Sequence, residues 1–243
     1  MSNSGSKQDS ATVELAVYCP GAVQSLVRPL LDSYAHASGN TVKFESFTVG
    51  AIVQRVTDGA PGDVVIATTE GIATLAEAGK VDRASVRRLG GIGLGVAVRR
   101  GTRVPDITDI ESFKRAMLAA ISITYSDPAA GGQSGIRTAE AMDKIGIADA
   151  IGPRLQIRQR GTDGFKEVGQ GKIEIGLGPI SEILANKELV LVAPFPPEIQ
   201  SSVSYSAAVH AKNTHKEAAQ NLVASLVSPA AKAKFQAAGF VTD

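Results

Sequence analysis

The residues best equipped for chemistry in this 243-residue chain are Ser126-Asp127-Pro128-Ala129-Ala130-Gly131-Gly132-Gln133-Ser134-Gly135-Ile136. Ahead of them, Ile121-Ser122-Ile123-Thr124-Tyr125 alternates apolar and hydroxylated side chains as a strand does; behind them, Ile136, Ala139, Met142 and Ile145 recur at helical spacing. A strand, a glycine-rich turn and a helix N-terminus therefore follow one another. Such a junction aims free backbone N–H groups and the positive end of a helix dipole at one point, and two glycines let an anion approach the backbone closely. The chemistry this predicts is anion binding. The simpler role for the same residues is that Gly131 and Gly132 turn the chain and Ser134 caps the helix.

Two other chemistries are excluded by spacing. A nucleophile elbow requires G-x-S-x-G, and Gly132-Gln133-Ser134-Gly135-Ile136 does not supply it. A phosphate-binding P-loop requires Lys-Ser or Lys-Thr after its last glycine, and no such pair follows a suitable glycine. Composition narrows the classes further. A net charge of +1 provides no bulk field for nucleic acid or an anionic membrane, so an anion must be caught locally. The single cysteine, Cys19, rules out an internal disulfide and a cysteine zinc site, and His36, His210 and His215 lack metal-ligand spacing. No metal or cofactor is implied, and the expected partner is a small-molecule anion. Residues 1–10 carry no apolar run of signal-peptide length and read as a disordered Ser/Gly-containing leader, and no window reaches the length of a membrane span. The sequence as written is expected to be cytoplasmic. A periplasmic location, with a transporter permease as partner, would follow only if an export signal had been removed.

The elements that must position this stretch can be read in order. Val13 to Cys19 is a buried strand, and Val23, Leu26, Val27, Leu30, Leu31 and Tyr34 line one face of the helix that follows, which Pro29 should kink. Thr41 to Phe47 is a second strand and Thr48-Val49-Gly50 opens a short helix; Asp63 to Ala67 is a third strand, stopping at Thr68-Thr69 before another helix. Three buried strands that each end in small or hydroxylated residues and open a helix form the repeating unit of an open α/β sheet, whose ligands sit outside the carboxyl ends of its strands. Ile92 to Arg99 is a glycine-spaced strand that crosses into a second lobe. Within that lobe, a helix over Asp109 to Leu118, a short strand ending at Ile157, the polar junction Arg158 to Gly164 and a strand over Ile173 to Gly178 are expected. Pro194-Phe195-Pro196-Pro197 reads as the return crossing, Ser202 to Ala211 as an edge-type strand, and Lys216 to Val227 and Ala230 to Ala238 as two closing helices.

This order of signals resembles the periplasmic solute-binding proteins of the molybdate-binding type over nearly the whole chain. The pieces that carry the resemblance are Gly59-Ala60-Pro61-Gly62-Asp63-Val64-Val65-Ile66-Ala67, the turn from Asp127-Pro128 to Gly135, Gly176-Leu177-Gly178-Pro179-Ile180-Ser181-Glu182, and Leu226-Val227-Ser228-Pro229-Ala230-Ala231. It implies an α/β fold of two doubly wound, Rossmann-like lobes joined by two crossings, residues 11–92 with 194–243 forming one lobe and 93–193 the other. It further implies a small organic acid or other oxyanion in the cleft between them, held by N–H groups and hydroxyls. Matching positions make Cys19, Gly21, Ala22, Thr48, Val49, Gly50, Thr68, Thr69, Gly132, Gln133, Ser134, Arg160 and Gly164 the expected ligand contacts. Two departures stand out. Pro20 brings no donor where the molybdate binders carry a serine, and Gly178 falls near one of their tyrosines, so a roomier pocket suited to an organic acid is expected. The family also contains aconitate isomerase, so an enzyme moving a proton and a double bond in a di- or tricarboxylate is the alternative. That reaction needs a base and carboxylate clamps. Asp163 ranks first among candidate bases, ahead of Glu70, Cys19 and Tyr18, while Arg137, Arg158 and Arg160 are the candidate clamps.

Overall fold

The computed structural model describes residues 12–242, so the leader assigned to residues 1–10 lies outside the described residues. The first third of the chain runs β1 (Glu14–Pro20), α1 (Gly21–Ser38), β2 (Thr41–Phe47), α2 (Val49–Thr57), β3 (Val64–Thr68) and α3 (Thr69–Glu77), ending in the long β4 (Arg87–Arg99). The middle third runs α4 (Ile110–Ala119), β5 (Ile123–Thr124), α5 (Gln133–Lys144), α6 (Ala148–Ile151), α7 (Gly161–Gly169), β6 (Ile175–Pro179), α8 (Ile180–Ala185) and β7 (Leu189–Pro194). The chain finishes with β8 (Ser202–Val209), α9 (Lys216–Ser225) and α10 (Pro229–Ala237).

The strands lie in the order β2-β1-β3-β8-β4-β6-β5, with β7 also paired to β4. β1 is parallel to β2 and β3, as helix crossovers require, and all five residues of β3 are buried, which is why it reads as an unbroken apolar run. The sheet becomes mixed at β8, antiparallel to both β3 and β4. Its alternating Ser-Val-Ser-Tyr-Ser pattern suggests an edge, but β8 is an interior strand: Ser206 is buried with its Oγ 3.0 Å from Thr69 Oγ1, while Ser204 Oγ accepts from Arg88 Nη2 at 3.4 Å and Ser202 is exposed at the strand's start. The short strand expected to end at Ile157 is likewise absent; Leu155 and Arg158 only form isolated bridges to Ile123 and Ser126. Helix α1 runs uninterrupted through Pro29.

Two α/β lobes result, and β4 belongs to both. Its pairing with β8 ends at Gly93 and its pairing with β6 begins at Leu94. The cores divide at the same place. Leu15, Val65, Leu75, Ile92, Tyr205, Leu222 and Phe235 pack in one cluster, whereas Leu94, Phe113, Met117, Ile123, Leu177, Phe195 and Ile199 pack in another. A third, smaller cluster of Ala97, Phe165, Val168, Ile173, Ile183 and Leu189 lies beneath α7 and α8. The return crossing is pinned to the outgoing one by Gln200, whose Oε1 accepts from Leu94 N at 2.9 Å and whose Nε2 donates to Leu94 O at 2.9 Å. One amide side chain thus stands in for a strand residue.

Because β8 fills the space between β3 and β4, a chain ending at residue 201 loses the pairing partner of both strands and the packing of α9 and α10. Such a truncation is expected to lose its cooperative thermal transition by circular dichroism and to aggregate on size exclusion, as exposed strand edges do.

Candidate functional site

A cleft of about 60 Å³ between the lobes is lined by Pro20, Gly21, Ala22, Gln24, Ser46, Phe47, Thr48 and Val49 from one side, and by Ser126, Gly132, Gln133, Ser134, Gln159, Arg160, Gly161, Thr162 and Glu182 from the other, with Tyr205. Helix ends build it. Pro20, Gly132 and Arg160 are the N-cap residues of α1, α5 and α7, and none of the three helices has a side-chain cap on its first N–H groups. Other helices differ: Thr48 caps α2 at the cleft wall, Thr68 caps α3, Asp109 caps α4 in a capping box and Ser228 caps α10, whereas α6, α8 and α9 also lack a side-chain cap. The first turn of a helix leaves N–H donors without internal partners, and here three such sets open on one cleft. The N-terminal partial charges add to the field at that point.

Of the expected contacts, Gly21, Ala22, Thr48, Val49, Gly132, Gln133, Ser134 and Arg160 line the cleft. Ser134 Oγ sits 3.0 Å from Ser126 Oγ, so the organising turn brings two hydroxyls to the wall. Cys19, Gly50, Thr68, Thr69 and Gly164 lie outside the lining. Cys19 is fully buried, with burial pushing its thiol up, and its Sγ contacts the Pro20 carbonyl. Thr68 is spent on capping Gly71 N, Thr69 on Ser206, and Gly164 packs its backbone against Thr124. Asp163 is exposed and off the lining, because in the first turn of α7 it is Gly161 and Thr162 that face inward. Glu70 is exposed, and Tyr18 Oη donates to the Pro61 carbonyl at 2.7 Å. Two of the candidate clamps are engaged elsewhere, Arg137 with Glu140 at 3.0 Å and Arg158 with Glu167 at 2.6 Å. Arg160 has no ion-pair partner among the described residues. The extra room expected at Gly178 is not there, since the Phe165 ring lies 3.1 Å from where a Cβ on Gly178 would be.

Sequence reasoning passed over Glu182 and Tyr205. Glu182 belongs to the first turn of α8, and its Oε2 is buried without a hydrogen-bond partner. Burial lifts its carboxyl to about pKa 7. Tyr205 is 1 % exposed, and burial, then the nearby Glu182 and Cys19, push its phenol up. The acidic residue three places after Gly178-Pro179 was visible in the sequence, but nothing in its spacing showed that the turn would carry it inward.

The lobes are fastened to each other beside the cleft. Thr48 Oγ1 donates to the Ala130 carbonyl at 2.9 Å, Gly50 N to the Gly131 carbonyl at 3.4 Å, and Ser181 Oγ to the Ala22 carbonyl at 3.0 Å. Glycine is required on both sides of this latch. A Cβ on Gly131, whose φ is +73°, would stand 2.9 Å from Gly50 Cα. Gly50 is therefore a lobe-closing residue, and Thr48 serves both latch and wall.

Two α/β lobes joined by a shared strand and a return crossing, with an N–H-lined cleft between them, define a solute-binding architecture. The family described as bacterial extracellular solute-binding protein matches residues 15–241, and the chain belongs to it. Among curated relatives, an aconitate isomerase from Pseudomonas sp is 27% identical over 234 residues, covering 90% of this chain and 84% of the relative. The molybdate-binding protein ModA of Escherichia coli strain K12 is 22% identical over 198 residues, covering 81% and 77%. The periplasmic molybdate-binding protein of Azotobacter vinelandii superposes with a TM-score of 0.79 at 18% identity, covering 94% of this chain and 99% of that one.

Replacing Thr48 by Ala removes both the bond to Ala130 and the cap on Ala51 N. The expected result is a loss of about 0.5–2 kcal/mol in urea denaturation. Gly131→Ala, which forces the lobes apart, is expected to enlarge the radius of gyration in small-angle scattering. A wild-type scattering profile for Gly131→Ala would remove the latch from the account.

Proposed function

We propose that the chain binds a small organic acid, within the wider class of small oxyanions, in the cleft between two lobes that close over it. The lobes are residues 11–92 with 194–243, and residues 93–193. The observation that carries the reading is the convergence of three helix N-termini without side-chain caps on a cleft whose single cation is Arg160. Backbone donors satisfy carboxylate oxygens without the desolvation penalty of several buried cations. A volume of about 60 Å³ is small for a di- or tricarboxylate, so entry requires the latch to part and the lobes to re-close on the ligand. The family is described as extracellular. A transporter permease is accordingly the protein partner wherever the chain is exported, and fractionation of producing cells distinguishes periplasm from cytoplasm.

A second reading is that the bound acid is turned over. It is favoured by a carboxyl group, Glu182, in a cleft otherwise built for anions, and by the relationship to an aconitate isomerase. A binding protein returns its ligand unchanged; an isomerase converts cis-aconitate to the trans isomer, which chromatography separates.

Thermal-shift screening against di- and tricarboxylates, molybdate, tungstate and sulfate tests the first reading. At a hundredfold excess over its Kd a ligand stabilises by about 2.7 kcal/mol, which raises the midpoint of a chain this size by roughly 5–10 °C. Organic acids are expected to give that shift. A shift with molybdate or sulfate alone would narrow the ligand to inorganic oxyanions, and none with any anion would overturn the proposal.

A further inference from the structure

We infer that Glu182 is the group that removes and returns a proton on the ligand bound in the cleft, an inference that deepens the isomerase reading and rests on it. Its geometry is unlike that of a structural carboxylate. Oε2 is buried without a donor, yet it lies so close to the start of α7 that a Cβ on Gly161 would stand 2.9 Å away. A buried acceptor left unpaired destabilises a fold, so buried carboxylates are ordinarily matched by cations or N–H groups. The other buried polar atoms without partners, His210 Nε2 and Asn213 Oδ1, belong to residues away from the cleft lining. Among the described residues, Glu182 alone combines such an atom with a place in the cleft lining.

The surrounding groups leave this role to Glu182. Tyr205 on β8 and Cys19 on β1 are pushed up by burial and stay neutral through the physiological range. Glu182, lifted to about 7, changes its proton near neutrality, where a general base works best. With an unsaturated tricarboxylate bound, its carboxylate takes a proton from the CH2 that is allylic to the double bond. The C–H electron pair spreads over the three-carbon unit into a carboxylate, and the N–H groups at the starts of α5 and α7, together with Arg160, offset that charge. The proton then returns from Glu182 to the far carbon. The double bond has moved by one position, and no electrons are gained or lost.

The test uses the full chain and cis-aconitate in D2O, followed by proton NMR. Wild type is expected to form the trans isomer with deuterium entering the CH2, at a rate that climbs with pH through about 7 and then levels as Glu182 ionises. Glu182→Gln is expected to lower that rate by about 10²–10⁴-fold while keeping the thermal shift given by trans-aconitate. Gly161→Ala, whose methyl would displace Oε2, is a second variant expected to slow conversion. Folding of Glu182→Gln is checked independently. The acid's folded-state pKa is raised, so wild type loses stability as pH rises from about 4.5 to 7, and the variant should melt higher at pH 8 with the gap closing toward pH 5. Wild-type conversion by Glu182→Gln would overturn the inference and leave the isomerase reading standing. Binding of aconitate with no conversion or deuterium uptake by wild type would overturn both, leaving the binding proposal intact, and absence of carboxylate binding would overturn that as well.

Discussion

Three helices whose first N–H groups lack a side-chain cap meet at one cleft, and that convergence organises this molecule. Helices usually hide their first turn behind a Ser, Thr, Asp or Asn side chain. In this chain α3, α4 and α10 do so, while α1, α5 and α7 begin at Pro20, Gly132 and Arg160 without such a cap. Each begins at the carboxyl end of a strand or at the bridge beside one, so sheet topology carries all three to the same place. The sheets are the means of aiming those helices.

Closing the site poses an opposite problem, because two protein surfaces must meet without filling the space intended for ligand. The latch solves it with main chain against main chain. Gly50 and Gly131 approach to a distance at which any Cβ would collide, and Thr48 and Ser181 bond to carbonyls of the opposite lobe. The cleft lining includes one cation, Arg160, and one carboxyl, Glu182, which burial lifts to about 7. An acidic group beside an anion site is repulsive when ionised, and its neutral form is a hydrogen-bond donor. The electrostatics of the cleft therefore turn on one proton.

Much of this was legible in the amino-acid order. The glycine turn and the helix it opens were readable around Ser126 to Ile136, and the buried run Val64 to Ala67 announced an interior strand. What could not be read depends on long-range placement. The serines of β8 suggest solvent, yet Ser206 is buried and matched by Thr69, distant in sequence. Thr68 and Thr69 have the right chemistry for ligand contact but are consumed by a cap and a cross-strand pair. Asp163 and Glu182 are both acids in the first turn of a helix, and only the packing of α7 and α8 decides that the first faces water and the second the cleft.

Gln200 gives the molecule a mechanical property of its own. Where the chain returns between lobes, Leu94 is bonded both by the Phe195 N–H and by the Gln200 amide, which sits at the end of a side chain with three rotatable bonds. The lobes are also held together at the rim, by Thr48, Gly50, Gly131 and Ser181. Thr48 also lines the cleft, so a change there alters wall and latch together, whereas Gly50, Gly131 and Ser181 fasten the lobes from outside the lining.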